Sequence, residues 1–149
     1  MGFQSILDLL PYSHPFLFVD TLKEVTNETV QGTYTFKEDS FFYKGHFKDH
    51  PVTPGVILTE CMAQIGVVCL GIHLISQNEV TCAPQIAMSS SEVEYLKPVY
   101  PGEQVMVKSI KKYFRFGKLK CLVSMYNTKE ELVCKGTISG MIIAQKNEA

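Results

Sequence analysis

The chain has no cysteine pair in CxxC spacing, no basic stretch leading into an apolar core at its start, and no excess of either charge sign. Five cysteines (Cys61, Cys69, Cys82, Cys121, Cys134) sit in apolar runs instead, as buried reduced thiols do, which excludes a disulfide framework. The missing signal segment, together with Ile6 where a myristoylation site needs Ser or Thr, predicts a cytoplasmic protein. Fourteen basic against fifteen acidic residues leave a net charge of -1, which argues against a general nucleic-acid binder. Internal repeats, low-complexity tracts and linkers are also absent, so residues 1–149 are expected to form one domain. With 46% apolar and 19% charged residues the composition is globular, and a chain of this length buries roughly 70% of its unfolded surface without staples.

The order of patterns is more informative. Residues 3–10 read as a short amphipathic helix stopped by Pro11, and residues 16–25 and 29–36 as two strands. Residues 37–54 are irregular, punctuated by Gly45, Pro51 and Pro54. Residues 55–75 are apolar on every side except for Glu60, Gln64 and His73. Four further strands follow, at 86–99, 104–116, 119–127 and 131–145. Twenty-one helical residues would span about 31 Å, enough for a bilayer. Three polar groups inside it and no basic flanks argue against a membrane span. A helix that is apolar all round in a soluble protein is a buried one. The expected fold is therefore α+β, a curved antiparallel sheet wrapped around one long central helix, its remaining cover supplied by dimerisation.

Three features before and within that helix carry chemistry. Glu60, among Leu58, Cys61 and Met62, is expensive to bury ionised, and desolvation raises a carboxyl's pKa. Gln64 lies one turn on, placed to hydrogen-bond it. His46 stands in the preceding loop. With Asp49 and His50 it forms an HxxDH spacing, but Pro51 opposes the helix a metal site would need, so no metal is expected. At the helix start, Pro54-Gly55-Val56 leaves the amides of Gly55 and Val56 uncovered, a place for an anion or a polarised carbonyl oxygen.

Residues 46–64, HFKDHPVTPGVILTECMAQ, resemble the active-site signature of the β-hydroxyacyl-[acyl carrier protein] dehydratases (FabZ/FabA type, hotdog fold). Residues 10–20, LPYSHPFLFVD, are similar to that family's N-terminal motif, and residues 93–103, VEYLKPVYPGE, to its strand after the helix. Departures are Lys48-Asp49 for the usual Pro-Gly, Thr53 for methionine, Cys61 for alanine and Tyr12-Ser13-His14 for His-Arg-Tyr. The resemblance implies a homodimer with shared active sites, often a trimer of dimers. It also implies catalysis by His46 and Glu60 from different subunits, an acyl carrier protein as partner and no cofactor beyond the carrier's phosphopantetheine. The implied reaction converts a 3-hydroxyacyl to a trans-2-enoyl carrier protein, in fatty-acid or polyene-type chain elongation. Neutral His46 would take the C2 proton, protonated Glu60 would deliver one to the C3 hydroxyl, and Gln64 would orient Glu60.

Candidate substrate-lining residues are Phe42, Val56 and Tyr95, with Phe41, Tyr43 and Ile57 beside them. Lys108, Lys111, Lys112, Arg115, Lys118 and Lys120 fall in thirteen residues without an acid, interleaved with Tyr113, Phe114 and Phe116. Single-stranded nucleic acid is one reading of such a run. A docking patch for an acidic carrier protein or a phosphopantetheine phosphate is preferred through the resemblance. Alternatives to dehydration are a hotdog acyl thioesterase and a non-catalytic acyl-thioester-binding protein.

Overall fold

The computed structural model describes residues 2–76 and 85–143. Cys82 and the end of the last expected strand lie outside the described residues. Helix α1 (Phe3–Asp8) is followed by strands β1 (Thr21–Val25) and β2 (Thr29–Thr35), then by a 3-10 turn at Phe41–Lys44. Helix α2 (Gly55–Ser76) comes next, and β3 (Gln85–Tyr95), β4 (Gln104–Arg115), β5 (Lys118–Tyr126) and β6 (Leu132–Ile143) complete the chain. The six strands form one antiparallel sheet in the order β1-β2-β4-β5-β6-β3.

The all-round apolarity of α2 is answered by burial: 83% of its most apolar window is inside the protein. Met62, Ile65, Leu70 and Ile72 from the helix meet Val30, Val107, Val123, Met125 and Ile138 from the sheet in one core. Irregularities of register in β1, β3, β4 and between Met125 and Tyr126 of β5 add the local bends a sheet needs to curl around a helix. Close approach depends on Gly71, where a Cβ would lie 2.5 Å from Ile86 Cδ1. The middle of α2, Gln64–Cys69, is wound as a π-helix. There the buried Ser109 hydroxyl of β4 donates to the Gly66 carbonyl at 2.8 Å, a side-chain insertion of the sort that accompanies such stretches.

Three expectations need correction. The first strand begins at Thr21 rather than residue 16, because the backbone of Phe16 and Phe18 bonds to the Gln64 side chain instead of to a neighbouring strand. The third ends at Tyr95, after which the Leu96 and Lys97 amides both turn onto the Val133 carbonyl. Part of the cover assigned to a second copy comes from this chain itself. Ile6 and Phe18 are fully buried in the core, and Cys61 on α2 donates to the Phe18 carbonyl at 3.4 Å.

Candidate active site

The loop before α2 closes on itself. The Val52 amide donates to the His46 carbonyl at 3.0 Å, and His46 Nδ1 meets the Val52 carbonyl at 2.9 Å. A carbonyl only accepts, so Nδ1 must carry the proton, and in the neutral ring Nε2 keeps its lone pair. Phe47 stacks on the imidazole at 4.4 Å between centroids. The loop is not helical: His50 N donates to Phe47 O rather than to His46 O, so the HxxDH side chains do not form a helical ligand pair. Among the described residues no three His, Cys, Asp or Glu side chains gather to hold a metal ion. Thr53 fastens the far end of the loop, its amide on the Val99 carbonyl at 2.8 Å and its hydroxyl against that of Tyr43 at 2.6 Å.

From Pro54 the chain enters α2 with no side-chain cap, and the Ile57 and Leu58 amides share the Pro54 carbonyl. Among the described residues the amides of Gly55 and Val56 have no acceptor. One flank of this terminus is covered, contrary to a bare start: a Cβ on Gly55 would lie 3.1 Å from Tyr95 Cε1. Tyr95 is fixed there by a hydrogen bond between its hydroxyl and that of Thr59. An open groove of about 440 Å³ lies beside it, bounded by Thr53, Leu58, Lys97 and Pro98.

Glu60 is half-buried one turn further on. Gln64 Nε2 donates to its Oε2 at 3.0 Å and to the Phe16 carbonyl at 3.0 Å, while Gln64 Oε1 accepts from the Phe18 amide at 2.8 Å. Gln64 is 0% exposed with both ends of its amide committed, so it holds Glu60 and is not a surface for substrate. Burial raises the carboxyl's pKa, and the Gln64 donor pulls it back part of the way. Glu60 opens on a cavity of about 30 Å³ lined by Tyr12, Ala63, Val67 and Val68 on one side and by Ile86, Met88 and Ile138–Gly140 of β3 and β6 on the other.

Within one chain, His46 and Glu60 share no hydrogen bond or ion pair among the described residues. Phe42 lines a different cavity of about 300 Å³ with His14, Phe18, Asp20 and Tyr34, and Val56 is 74% exposed. Neither lines the Glu60 cavity of its own chain. The six cations are less uniform than their run implies. Lys111 is half-buried and pairs with Glu28, an acid brought from the β1–β2 turn, at 3.4 Å. Arg115 lies 4.3 Å over Tyr113, Lys108 over Tyr126, and Phe114 packs on the core. Only Phe116, at the hairpin tip, is bare at 95% exposure. Lys108, Lys112 and Arg115 are exposed, Lys118 and Lys120 partly so. No chemical motif in the sequence marks Tyr12 as a site residue. Its one signal was that it replaces the histidine usual in the motif the chain resembles.

A curved antiparallel sheet around one enclosed helix, with an acid on that helix and an imidazole in the loop feeding it, is the hotdog arrangement. Residues 10–137 match the FabA-like domain family. The chain is 33% identical over 148 residues to the 3-hydroxyacyl-[acyl-carrier-protein] dehydratase FabZ of Syntrophobacter fumaroxidans, spanning 99% of this chain and 98% of that protein. It is 36% identical over 105 residues to the FabZ of Geobacter metallireducens, 70% of this chain and 69% of that one. The chain belongs to the FabA-like family. Among solved structures, the dehydratase heterocomplex ApeI:P from Xenorhabdus doucetiae aligns with a TM-score of 0.76 at 14% identity, over 94% of this chain and 91% of that one. A thioesterase from Haemophilus influenzae aligns at 0.67 and 11% identity, over 99% and 94%. At such identities both are similar in fold alone.

Proposed function

We propose that the protein removes water from a 3-hydroxyacyl group carried as a thioester on acyl carrier protein, leaving the trans-2-enoyl thioester. The observation that carries the reading is Glu60, a carboxyl held by Gln64 on an enclosed helix with its pKa pushed up by burial, one turn beyond two amides that have no acceptor among the described residues. Family membership and full-length relatives named for this reaction support it. His46 Nε2 takes a proton from C2. The Gly55 and Val56 amides receive the charge that gathers on the thioester oxygen. Glu60 gives its proton to the C3 hydroxyl, the C3–O bond breaks, and water leaves as the C2–C3 double bond forms. The reaction is two proton transfers and the loss of water from C3, with no electron gained or lost overall, and the carrier's phosphopantetheine brings the substrate, so the reading needs no further cofactor.

A second copy completes the site. Among the described residues β3 pairs only with β6, and an eleven-residue strand with one edge open there invites another strand. We take that partner to be the same chain, so that His46 of one protomer faces Glu60 of the other, with Phe42, Val56 and Tyr95 closing the acyl slot. Such an assembly acts as one hotdog unit per chain, in the cytoplasm. The buried free thiols Cys61, Cys69, Cys121 and Cys134 suit that compartment.

The direct test is incubation with a trans-2-enoyl thioester. Loss of conjugated absorbance with formation of hydroxyacyl product supports dehydration. Release of free thiol makes the protein a thioesterase, and no change makes it a binder. The cations Lys108, Lys112, Arg115, Lys118 and Lys120 are the proposed carrier dock, with Lys111 already engaged by Glu28. Lys112→Glu should raise KM for carrier-bound substrate several-fold at low salt, less at high salt, and leave a small thioester mimic unaffected.

A further inference from the structure

The space between Glu60 and Tyr12 is small and specific. With about 30 Å³ open to the centre of a water-sized sphere, it exceeds the roughly 10–15 Å³ that one water needs. A water needs two or more polar partners to remain in a cavity. The phenol of Tyr12 and the carboxyl of Glu60 supply them: both line the cavity, and Glu60 Oε1 has no hydrogen bond among the described residues while Oε2 is held by Gln64. The remaining wall, Ala63, Val67, Val68, Ile86, Met88 and Ile138, is apolar except at Ser139, whose buried hydroxyl has no hydrogen bond among the described residues, so a water seated here has the Ser139 hydroxyl as a third group to turn to.

Resting on the dehydratase reading, we propose that this cavity is the water site of the reaction, and that Tyr12 is the positioning residue that holds the water against Glu60. In the forward direction the C3 hydroxyl, protonated by Glu60, departs as water into the cavity and is received by the Tyr12 hydroxyl. In the reverse direction the same water is presented to C3 of the enoyl group while Glu60 takes its proton. Tyr12 exchanges no proton in either direction. Burial and the nearby Glu60 charge both raise its pKa, keeping it a neutral donor. The titratable groups facing this pair are few. Cys69 on α2 acts on Tyr12, the Glu60 charge acts on Cys61 of the same helix, and β3 and β6 present none to the cavity.

Tyr12→Phe keeps the ring and removes only the hydroxyl, which has no protein partner among the described residues, so the fold should hold. The experiment measures dehydration and hydration by wild type and Tyr12→Phe across pH. Expected are a roughly tenfold fall in kcat in both directions with KM little changed, and an alkaline limb of kcat/KM displaced upward. That direction follows because a water that solvates ionised Glu60 lowers its pKa, and removing the water raises it. An unchanged kcat, or a fall with the alkaline limb unmoved, overturns the proposal and leaves Tyr12 as packing. Wild-type turnover is the control that separates the two readings: with none, the dehydratase reading falls and this inference falls with it.

Discussion

His46 and Glu60 are held in opposite ways. The imidazole sits half-exposed on a short loop, oriented by one carbonyl six residues away and by the adjacent Phe47 ring. The carboxyl sits on the most enclosed helix of the protein, fixed by Gln64, whose other bonds reach Phe16 and Phe18 across separations of 48 and 46 residues. The base is thus a local device and the acid a product of the whole fold. This division suits a site assembled from two protomers. On the proposed mechanism the acid has its setting before a partner arrives, whereas the base would become useful only when brought to another chain's helix.

Removing either group is the largest blow. His46→Ala and Glu60→Ala should each lower kcat by about 10²–10⁴ in the hydration assay. Mixing the two dead variants under conditions of subunit exchange tests the assembly itself. If each site takes His46 from one protomer and Glu60 from the other, random exchange gives half heterodimers with one intact site each, restoring about a quarter of wild-type activity. If both groups of a site come from one chain, the mixture stays dead, and the contrast between a local base and a partner's acid is wrong.

Gln64→Leu attacks the acid's side alone. It strands the Phe18 amide and the Phe16 carbonyl, so a loss of about 2–4 kcal/mol in chemical denaturation is expected. It also removes the donor that favours ionised Glu60, so the alkaline limb of kcat/KM should move to higher pH. Stability carries the same signature in the parent protein. A carboxyl whose folded pKa lies above its unfolded one binds more protons when folded, so the Glu60 contribution to stability falls as pH rises between those two values and is constant on either side. The difference between the stability–pH curves of wild type and Glu60→Gln isolates that contribution, and parallel curves would assign the slope elsewhere.

The contrast also explains what was legible in the sequence. Apolarity on every side of residues 55–75 announced an enclosed helix, and the structure places it at Gly55–Ser76. The four-residue step from Glu60 to Gln64 announced their hydrogen bond, since helical spacing is local information. What depended on distant segments was hidden. The bonds from Gln64 to Phe16 and Phe18 shortened the first strand, and Glu28 arrived beside Lys111 in a run that contains no acid of its own. Tyr12 reached the Glu60 cavity from the far side of the sequence. The π-wound stretch Gln64–Cys69 is met at the Gly66 carbonyl by Ser109, a serine that on its strand resembles any other inward-facing small residue.

The smallest effect is expected on the base's side. Phe47 is largely exposed and touches His46 ring to ring, so Phe47→Ala removes an orienting surface without opening the core. Stability should change by no more than about 0.5 kcal/mol, as for surface positions in general. The imidazole keeps its bond to the Val52 carbonyl, which preserves the tautomer but leaves the ring freer to swing about that bond. A fall of a few-fold in kcat is therefore expected, with KM and the pH profile unchanged, because neither Glu60 nor its partners are disturbed. A stability loss as large as that of Gln64→Leu would show that the loop is built into the fold as deeply as the helix, and the difference between the two halves of the site would vanish.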